Sequence, residues 1–353
     1  MNKLYRSLCV LFTSTVLAAT PALATSKTTN KTTANQQQNS TQKSKKTSAK
    51  KPTVQTSKTS KSNSSKTVAR KKSIEQQAIA GARSGVRVDR VNANPINLSS
   101  PGVQSSGVLV LNEQNGEVMY ERNADNIVPI ASITKLMTAM VVLDAKLPLN
   151  ELISITQADV DSLKNTSSRL TVGTTLTRGE MLLLALMSSE NRAASALSHA
   201  YPGGREAFTR KMNEKAQQLG MQNSRFFDPT GLTPSNVSTP RELSLMVKAA
   251  QRYPEIHQFS TSSEYQFVSN VTGHLMSFRN TNPLVKDADW QIGVSKTGFI
   301  NEAGRCIVMQ ATINNMPVVM VLMDSNGKYT RIGDAQRVRR WIEETRQSGL
   351  KAG

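Results

Sequence analysis

Between Thr25 and Ser73 the chain is written almost entirely in Lys, Thr, Ser, Gln and Asn, and its sizeable apolar side chains are Val54 and Val68. Such a segment cannot bury enough surface to offset the entropy of ordering it. The sequence therefore predicts a disordered Lys/Ser/Thr-rich tail and linker over 25–100, and any folded body must come from 101–346. That remainder is long enough for one large core. Ahead of the tail, Lys3 and Arg6 precede a largely apolar run from Leu8 to Ala19, and Ala22-Leu23-Ala24 has the small-x-small form of a cleavage site. Residues 1–24 thus read as a secretory signal peptide, with Thr25 as the expected mature terminus. The apolar run is short for a bilayer span, and no later stretch reaches the roughly 18–20 apolar residues that a membrane helix needs. The expectation is an exported protein without a transmembrane anchor.

A net charge of +19 suggests a nucleic-acid binder, but its distribution argues otherwise. Residues 25–72 hold 13 Lys and Arg and no acid, and the leader adds two more, which leaves 29 basic against 25 acidic residues for the rest. No aromatic residue interleaves with the tail lysines, so a single-strand stacking platform is missing and no nucleic acid is expected. Weak, salt-sensitive association of the tail with anionic envelope surfaces is the expectation instead. Cys9 leaves with the leader, so Cys306 has no partner for an intramolecular disulfide. It falls in an alternating apolar stretch, where a buried structural thiol is the ordinary outcome.

Within the body, Gly107–Leu111 and Glu117–Tyr120 read as strands joined across Gln114-Asn115-Gly116. A helix is predicted from Ser132 to Lys146. Thr177-Arg178-Gly179-Glu180 and Thr239-Pro240-Arg241-Glu242 are capping boxes. Further helices are predicted over Asn191–Tyr201 and up to Leu219, closing on Gly220. Three apolar strands come late, Trp290–Thr297, Arg305–Ile313 and Val318–Met323, the last two linked by the hairpin signal Asn314-Asn315, before a terminal helix over Ile332–Arg346. Early strands, a long helical insert and late strands predict an α/β (α+β) body, one mixed sheet with helices on its faces. No G-x-G-x-x-G follows a strand, which excludes a doubly wound nucleotide binder.

Three short elements carry the candidate chemistry. A single S-x-x-K match means little, since Ser40–Lys43, Ser48–Lys51 and Ser348–Lys351 also fit. Ser132-Ile133-Thr134-Lys135 differs by opening an apolar helix, with the lysine one turn after the serine. Taken alone, it reads better as an N-capping serine with an exposed lysine. Ser189-Glu190-Asn191 interrupts two helical patterns, and a helix cap would explain it equally. Lys296-Thr297-Gly298 ends an apolar strand, where a lysine can simply reach solvent. Their order and settings together match the serine–lysine set of penicillin-binding proteins and class A β-lactamases.

On these elements the chain resembles low-molecular-mass penicillin-binding proteins of the D-alanyl-D-alanine endopeptidase type. The likeness runs from about Gly107 to Ile342 and includes Ala131–Met140, Leu183–Arg192, Asp228–Leu232, Phe278–Asn282 and Lys296–Phe299. It implies a β-lactamase/transpeptidase-like fold with a mainly antiparallel sheet, and a 101–346 serine DD-peptidase domain acting in the periplasm on peptidoglycan stem peptides. It further implies that Ser132 forms an acyl-enzyme, with Lys135 as general base, made neutral by nearby Lys296 and by desolvation. Ser189 would relay a proton to the leaving amine, and Asn191 would orient Lys135 and the substrate amide. Lys296 and Thr297 would hold the substrate's carboxylate or carbonyl end. Gly298 would let its backbone approach, and the N–H groups of Ser132 and Phe299 would form an oxyanion hole. β-Lactams are expected as covalent inhibitors.

No metal or other cofactor is implied, because His199, His257 and His274 show no ligand spacing. A D-alanyl-D-alanine carboxypeptidase is the rival with the same chemistry. Many relatives of that type carry a further β-rich domain and an amphipathic C-terminal anchor, and the short stretch after Ile342 favours the endopeptidase. A β-lactamase is disfavoured because no E-x-x-L-N element follows Asn191, which predicts slow release of bound penicillin. A basic cell-wall-binding scaffold is the non-enzyme alternative.

Overall fold

The computed structural model describes residues 99–351, so the predicted leader (1–24) and most of the predicted tail and linker (25–100) lie outside the described residues. Within the described range the chain forms β1 (Gly107–Asn112), β2 (Val118–Arg122), β3 (Val128–Pro129), α1 (Thr134–Asp144), β4 (Leu152–Ser154) and β5 (Thr175–Thr177). Four consecutive helices and one short strand follow: α2 (Arg178–Met187), α3 (Asn191–His199), α4 (Gly204–Gln218), β6 (Val237–Ser238) and α5 (Pro240–Ala250). The chain closes with α6 (Pro254–Thr261), β7 (Glu264–Val268), β8 (Leu275–Arg279), β9 (Gln291–Ile300), β10 (Gly304–Ile313), β11 (Met316–Ser325) and α7 (Thr330–Lys351).

Five strands make the main sheet in the order β2-β1-β11-β10-β9. Its pairings are antiparallel throughout, which sharpens the expected mainly antiparallel sheet. The reason is local: β9, β10 and β11 are joined by tight turns, and a two-residue turn can only reverse the chain. Asn314 and Asn315 make the β10–β11 turn with φ of 49° and 60°. Both central residues of a primed hairpin turn need positive φ, and Asn tolerates it better than most residues.

Alternate residues of β1 divide between two cores. Leu109 and Leu111 join the cluster beneath α1, α2, α3 and α5, while Val108 and Val110 face Ala335, Val338, Trp341 and Ile342 of α7. With both faces covered, the inner strands read as continuous apolar runs, which is why three of them were visible in the sequence. Nine residues of α1, from Thr134 to Val142, are buried. A helix without a polar face belongs inside a core, so α1 is the central strut of the helical layer.

Several helix ends follow their caps. Thr177 and Glu180 exchange both bonds of a capping box. At α5 only half of the expected box forms: Thr239 accepts from the Glu242 N–H, but the Glu242 carboxylate instead takes the Asn223 N–H and the Ser224 hydroxyl. Tertiary partners outcompeted the local one. The hairpin of β7 and β8 and the helix α6 were not foreseen, although Ser269, Asn270, Thr272 and Gly273 between the two strands are residues that announce a turn.

Candidate active site

Ser132 lies in a 3₁₀ turn, Ala131–Ile133, and α1 begins only at Thr134. The helix therefore starts two residues later than expected, and Ser132 stands just before it rather than in its first turn. Ala131 has φ of 48°, an uncommon conformation for a residue with a Cβ. Opposite it, Gly231 has φ of 79°, and a Cβ there would lie 1.9 Å from the Ala131 carbonyl oxygen. Only glycine fits, so the loop 228–232 and the Ser132 turn close directly on each other.

That loop is heavily bound. Asp228 accepts from the N–H groups of Thr230, Gly231 and Thr233, and Asn236 donates to the Asp228 carbonyl and to Thr134. Thr138 donates to the Pro229 carbonyl, which pins the loop to α1. The outcome is that the Thr230 carbonyl points at Lys135.

Lys135 Nζ is fully buried and has three neighbours: Ser132 Oγ at 2.9 Å, Asn191 Oδ1 at 2.8 Å and the Thr230 carbonyl at 2.7 Å. Burial lowers its pKa from 10.5 to about 7, partly opposed by the charges of Asp228 and Glu190. The neutral amine keeps two N–H groups and one lone pair. Two of its neighbours are carbonyl-type oxygens that can only accept, whereas the serine hydroxyl can donate. The lone pair must therefore face Ser132 Oγ, which is the arrangement of a base poised to take a hydroxyl proton.

The orientation of the Asn191 amide is fixed from behind. Its Nδ2 donates to Thr166 Oγ1 at 3.2 Å, and that hydroxyl donates to Asp161. The Asn191 oxygen is thereby turned toward Lys135. Ser189 has φ of 62°, so the backbone between α2 and α3 is strained where its side chain meets the cleft.

Ser189 Oγ lies 2.9 Å from Lys296 Nζ, which also donates to the Thr297 carbonyl. Burial lowers the Lys296 pKa well below its ordinary value, and the charges of Lys135 and Arg331 add to the effect. The sequence reading had Lys135 made neutral by nearby Lys296 and by desolvation; burial is the largest cause of the lowered pKa of both lysines, and the two amines disfavour each other's charge.

β9 is an edge strand of the main sheet, and its Lys296–Phe299 end borders the Ser132 turn. A Cβ at Gly298 would sit 3.1 Å from Ala131 Cβ and from the Ile130 carbonyl, and 3.2 Å from the Ser132 nitrogen. The expected partner of Gly298 was the substrate backbone, but its missing side chain also admits the nucleophile turn itself. Thr297 donates to Thr281, and Asn282 donates to Ser295, so the segment 278–282 braces the strand from below. Phe299 is exposed and lies under the guanidinium of Arg305.

The eight candidate residues, Ser132, Lys135, Ser189, Asn191 and Lys296–Phe299, thus converge on one cleft between the sheet edge and the helical layer. Four contributors were not among the candidates: the Thr230 carbonyl and Thr281, which lie in segments that carry the resemblance, and Thr166 and Arg331, which carried no signal of their own. Arg331 opens α7, donates to the Gly298 carbonyl at 2.9 Å and keeps a buried Nε without a partner. Cys306 is buried, its Sγ lies against the Ala303 carbonyl, and burial pushes its thiol up to about 12. It is a structural residue. Among the described residues no group of three or more His, Cys, Asp or Glu could hold a metal, and no helix is long and apolar enough to cross a membrane.

The chain is 49% identical over 248 residues to a D-alanyl-D-alanine endopeptidase of Pseudomonas aeruginosa, covering 70% of this chain and 80% of that one. It is 48% identical over 245 residues to the protein of the same description in Escherichia coli, covering 69% and 79%. The solved structure of the Streptomyces K15 DD-transpeptidase superposes with a TM-score of 0.64 at 28% identity, over 69% of this chain and 98% of that one. Residues 94–327 match the peptidase S11 family, described as D-alanyl-D-alanine carboxypeptidase, and the chain belongs to that family of serine peptidases.

Proposed function

We propose that this serine DD-peptidase is an exported endopeptidase that cuts D-Ala cross-links in peptidoglycan through an acyl-enzyme on Ser132. The observation that carries the chemistry is the buried Lys135 amine, 2.9 Å from Ser132 Oγ. In acylation, Ser132 Oγ bonds to the carbonyl carbon of D-Ala and its proton passes to Lys135 Nζ. The oxyanion lies toward the N–H groups of Ser132 and Phe299, an arrangement that contributes roughly 3–4 kcal/mol in such sites. The C–N bond then breaks, and the leaving amine takes a proton through Ser189, which is held by Lys296. Water attacks the ester in the second half and restores Ser132.

The Lys296 amine, the Thr297 hydroxyl and the Arg331 guanidinium make a donor-rich floor suited to a carboxylate or carbonyl end of the substrate. β-Lactams would acylate the same serine and be released slowly. The endopeptidase preference rests on the two relatives near 49% identity, each described as a D-alanyl-D-alanine endopeptidase. Carboxypeptidase activity is the second reading, favoured by the family description and by relatives such as a D-alanyl-D-alanine carboxypeptidase of Bacillus subtilis at 29% identity. The leader-like residues 1–24 and an envelope substrate support a periplasmic location, with 25–100 as a tail and 101–346 as the catalytic domain.

Purified cross-linked muropeptide dimers and uncross-linked pentapeptides, read by mass spectrometry with Ser132→Ala as control, test the reading. Dimers falling to monomers only with Ser132 intact support the endopeptidase. Loss of terminal D-Ala from pentapeptides with dimers untouched makes the enzyme a carboxypeptidase.

A further inference from the structure

One ion pair crosses the site and takes no part in the acylation chemistry above. Lys164 Nζ bonds the Glu302 carboxylate, 138 positions away in sequence. Lys164 belongs to the loop 161–166, whose Thr166 receives the Asn191 amide on the helical side of the site. Glu302 lies in the turn after β9, beyond Phe299 on the sheet side. No other hydrogen bond or ion pair among the described residues joins that loop to that turn. The two side chains are 28% and 40% exposed, so water reaches the contact.

Both anchors of the pair are firm. Asp161 accepts from the N–H groups of Leu163, Lys164 and Thr166, which fixes the loop backbone. On the other side Ala303 is buried and its N–H bonds the Ile300 carbonyl at 3.2 Å. Gly304 follows with φ of 62°, and a Cβ there would lie 2.3 Å from Asp324 Oδ1. The moving parts are therefore the two long side chains, which change rotamer quickly at such exposure. The roles assigned above also order a substrate along β9. Its carboxylate end lies at Lys296 and Thr297, and its scissile carbonyl lies at the Phe299 N–H. The rest of the acyl donor then continues past Phe299 toward Ile300 and Glu302. A strand rises about 3.3 Å per residue, so the pair stands at most about 10 Å further on, the reach of about three extended donor residues.

We propose that Lys164 and Glu302 form a strap over the donor arm of the site, and that a cross-linked substrate enters only when the strap opens. A stem peptide free at its D-Ala end can slide beneath the pair. A cross-linked one is blocked at both ends by the chains it joins, so it must enter from the side, through the broken contact. A short acylating agent ends before the strap and is indifferent to it. The inference rests on the DD-peptidase reading and adds two specificity-determining residues to it. An exposed pair of this kind favours the closed form by about two- to fivefold, which is a modest filter and one that salt weakens.

The test compares two reactions of the same protein: kcat/KM on cross-linked muropeptide dimers, read by mass spectrometry, and single-turnover acylation by nitrocefin, read by its colour change. Glu302→Gln and Lys164→Met should each raise dimer cleavage about two- to fivefold and leave nitrocefin acylation unchanged. The double exchange Lys164→Glu with Glu302→Lys rebuilds the pair with its charges reversed and should return dimer cleavage to the native rate. Raising sodium chloride from about 0.05 to about 0.5 M should speed the native protein on dimers by a similar factor, with little further effect on Glu302→Gln. Dimer cleavage that is unchanged or slower in both single variants overturns the strap while the DD-peptidase reading stands. So does a double exchange that stays as fast as the single variants, or nitrocefin acylation that changes in step with dimer cleavage. If the native protein and both single variants react with nitrocefin yet spare dimers, the strap and the endopeptidase reading fail together. A protein that nitrocefin does not acylate counts against the DD-peptidase reading itself.

Discussion

Replacing Glu190 with Gln should move the pH dependence of acylation to more acidic values. Glu190 is mostly buried, accepts from the Ser168 hydroxyl at 2.6 Å, and its charge raises the Lys135 pKa against the pull of burial. Gln keeps the shape and an acceptor oxygen but removes the charge, so the Lys135 ammonium loses one of its two stabilising neighbours. In the native protein the drop from 10.5 to about 7 corresponds to about 5 kcal/mol against the charged amine. Lys135 should then be neutral in about one molecule in ten at pH 6, half at pH 7 and nine in ten at pH 8. An amine left at its ordinary value would be neutral in only about one molecule in 3,000 at pH 7. The assay is the second-order rate of labelling by a fluorescent penicillin between pH 5.5 and 9. The native rate should rise through an inflection near 7, and the Glu190→Gln inflection should lie lower. An inflection near 10, a flat profile, or an upward move in the variant would refute the assignment of Lys135 as the base.

The same shift has a stability consequence: between about 7 and 10.5 the unfolded chain holds the Lys135 proton and the folded one does not, so this group's contribution rises with pH across that window. Urea midpoints at pH 7 and pH 9 for native and Lys135→Met protein, compared as differences, read it. Gly231→Ala should collapse the fold, because its Cβ would overlap the Ala131 carbonyl at 1.9 Å in a left-handed backbone; soluble, cooperatively melting variant protein would contradict the close packing of the two loops. Gly298→Ala should keep the fold, since its contacts of 3.1–3.2 Å need only small adjustments, yet slow penicillin labelling by roughly 10²-fold through displacement of the Ser132 N–H. Thr177→Ala should cost about 1 kcal/mol in urea denaturation through loss of the α2 cap, with labelling unchanged.

Much of the fold was legible because it is written in local patterns. The apolar strands β9 to β11, the Asn314-Asn315 turn and the Thr177–Glu180 box each depend on residues adjacent in sequence. The elements that escaped are those settled by distant partners. Glu242 sits at a capping-box position yet turns to Asn223 and Ser224, and the β7–β8 hairpin buries Phe278 in the helical-side core.

The candidate site divides in the same way. By itself the sequence named which groups to look for, since Ser132, Lys135, Ser189, Asn191 and Lys296–Phe299 stand out by type and order. Their protonation depends on tertiary structure, because an amine becomes a base only when burial removes the water that favours its charge. Lys135 reads as an ordinary lysine until α1 is buried on all sides and the Thr230 carbonyl, 95 residues away in sequence, arrives to fix the direction of its lone pair. Residue type is local information; dielectric, lone-pair direction and the sum of nearby charges belong to the assembled molecule.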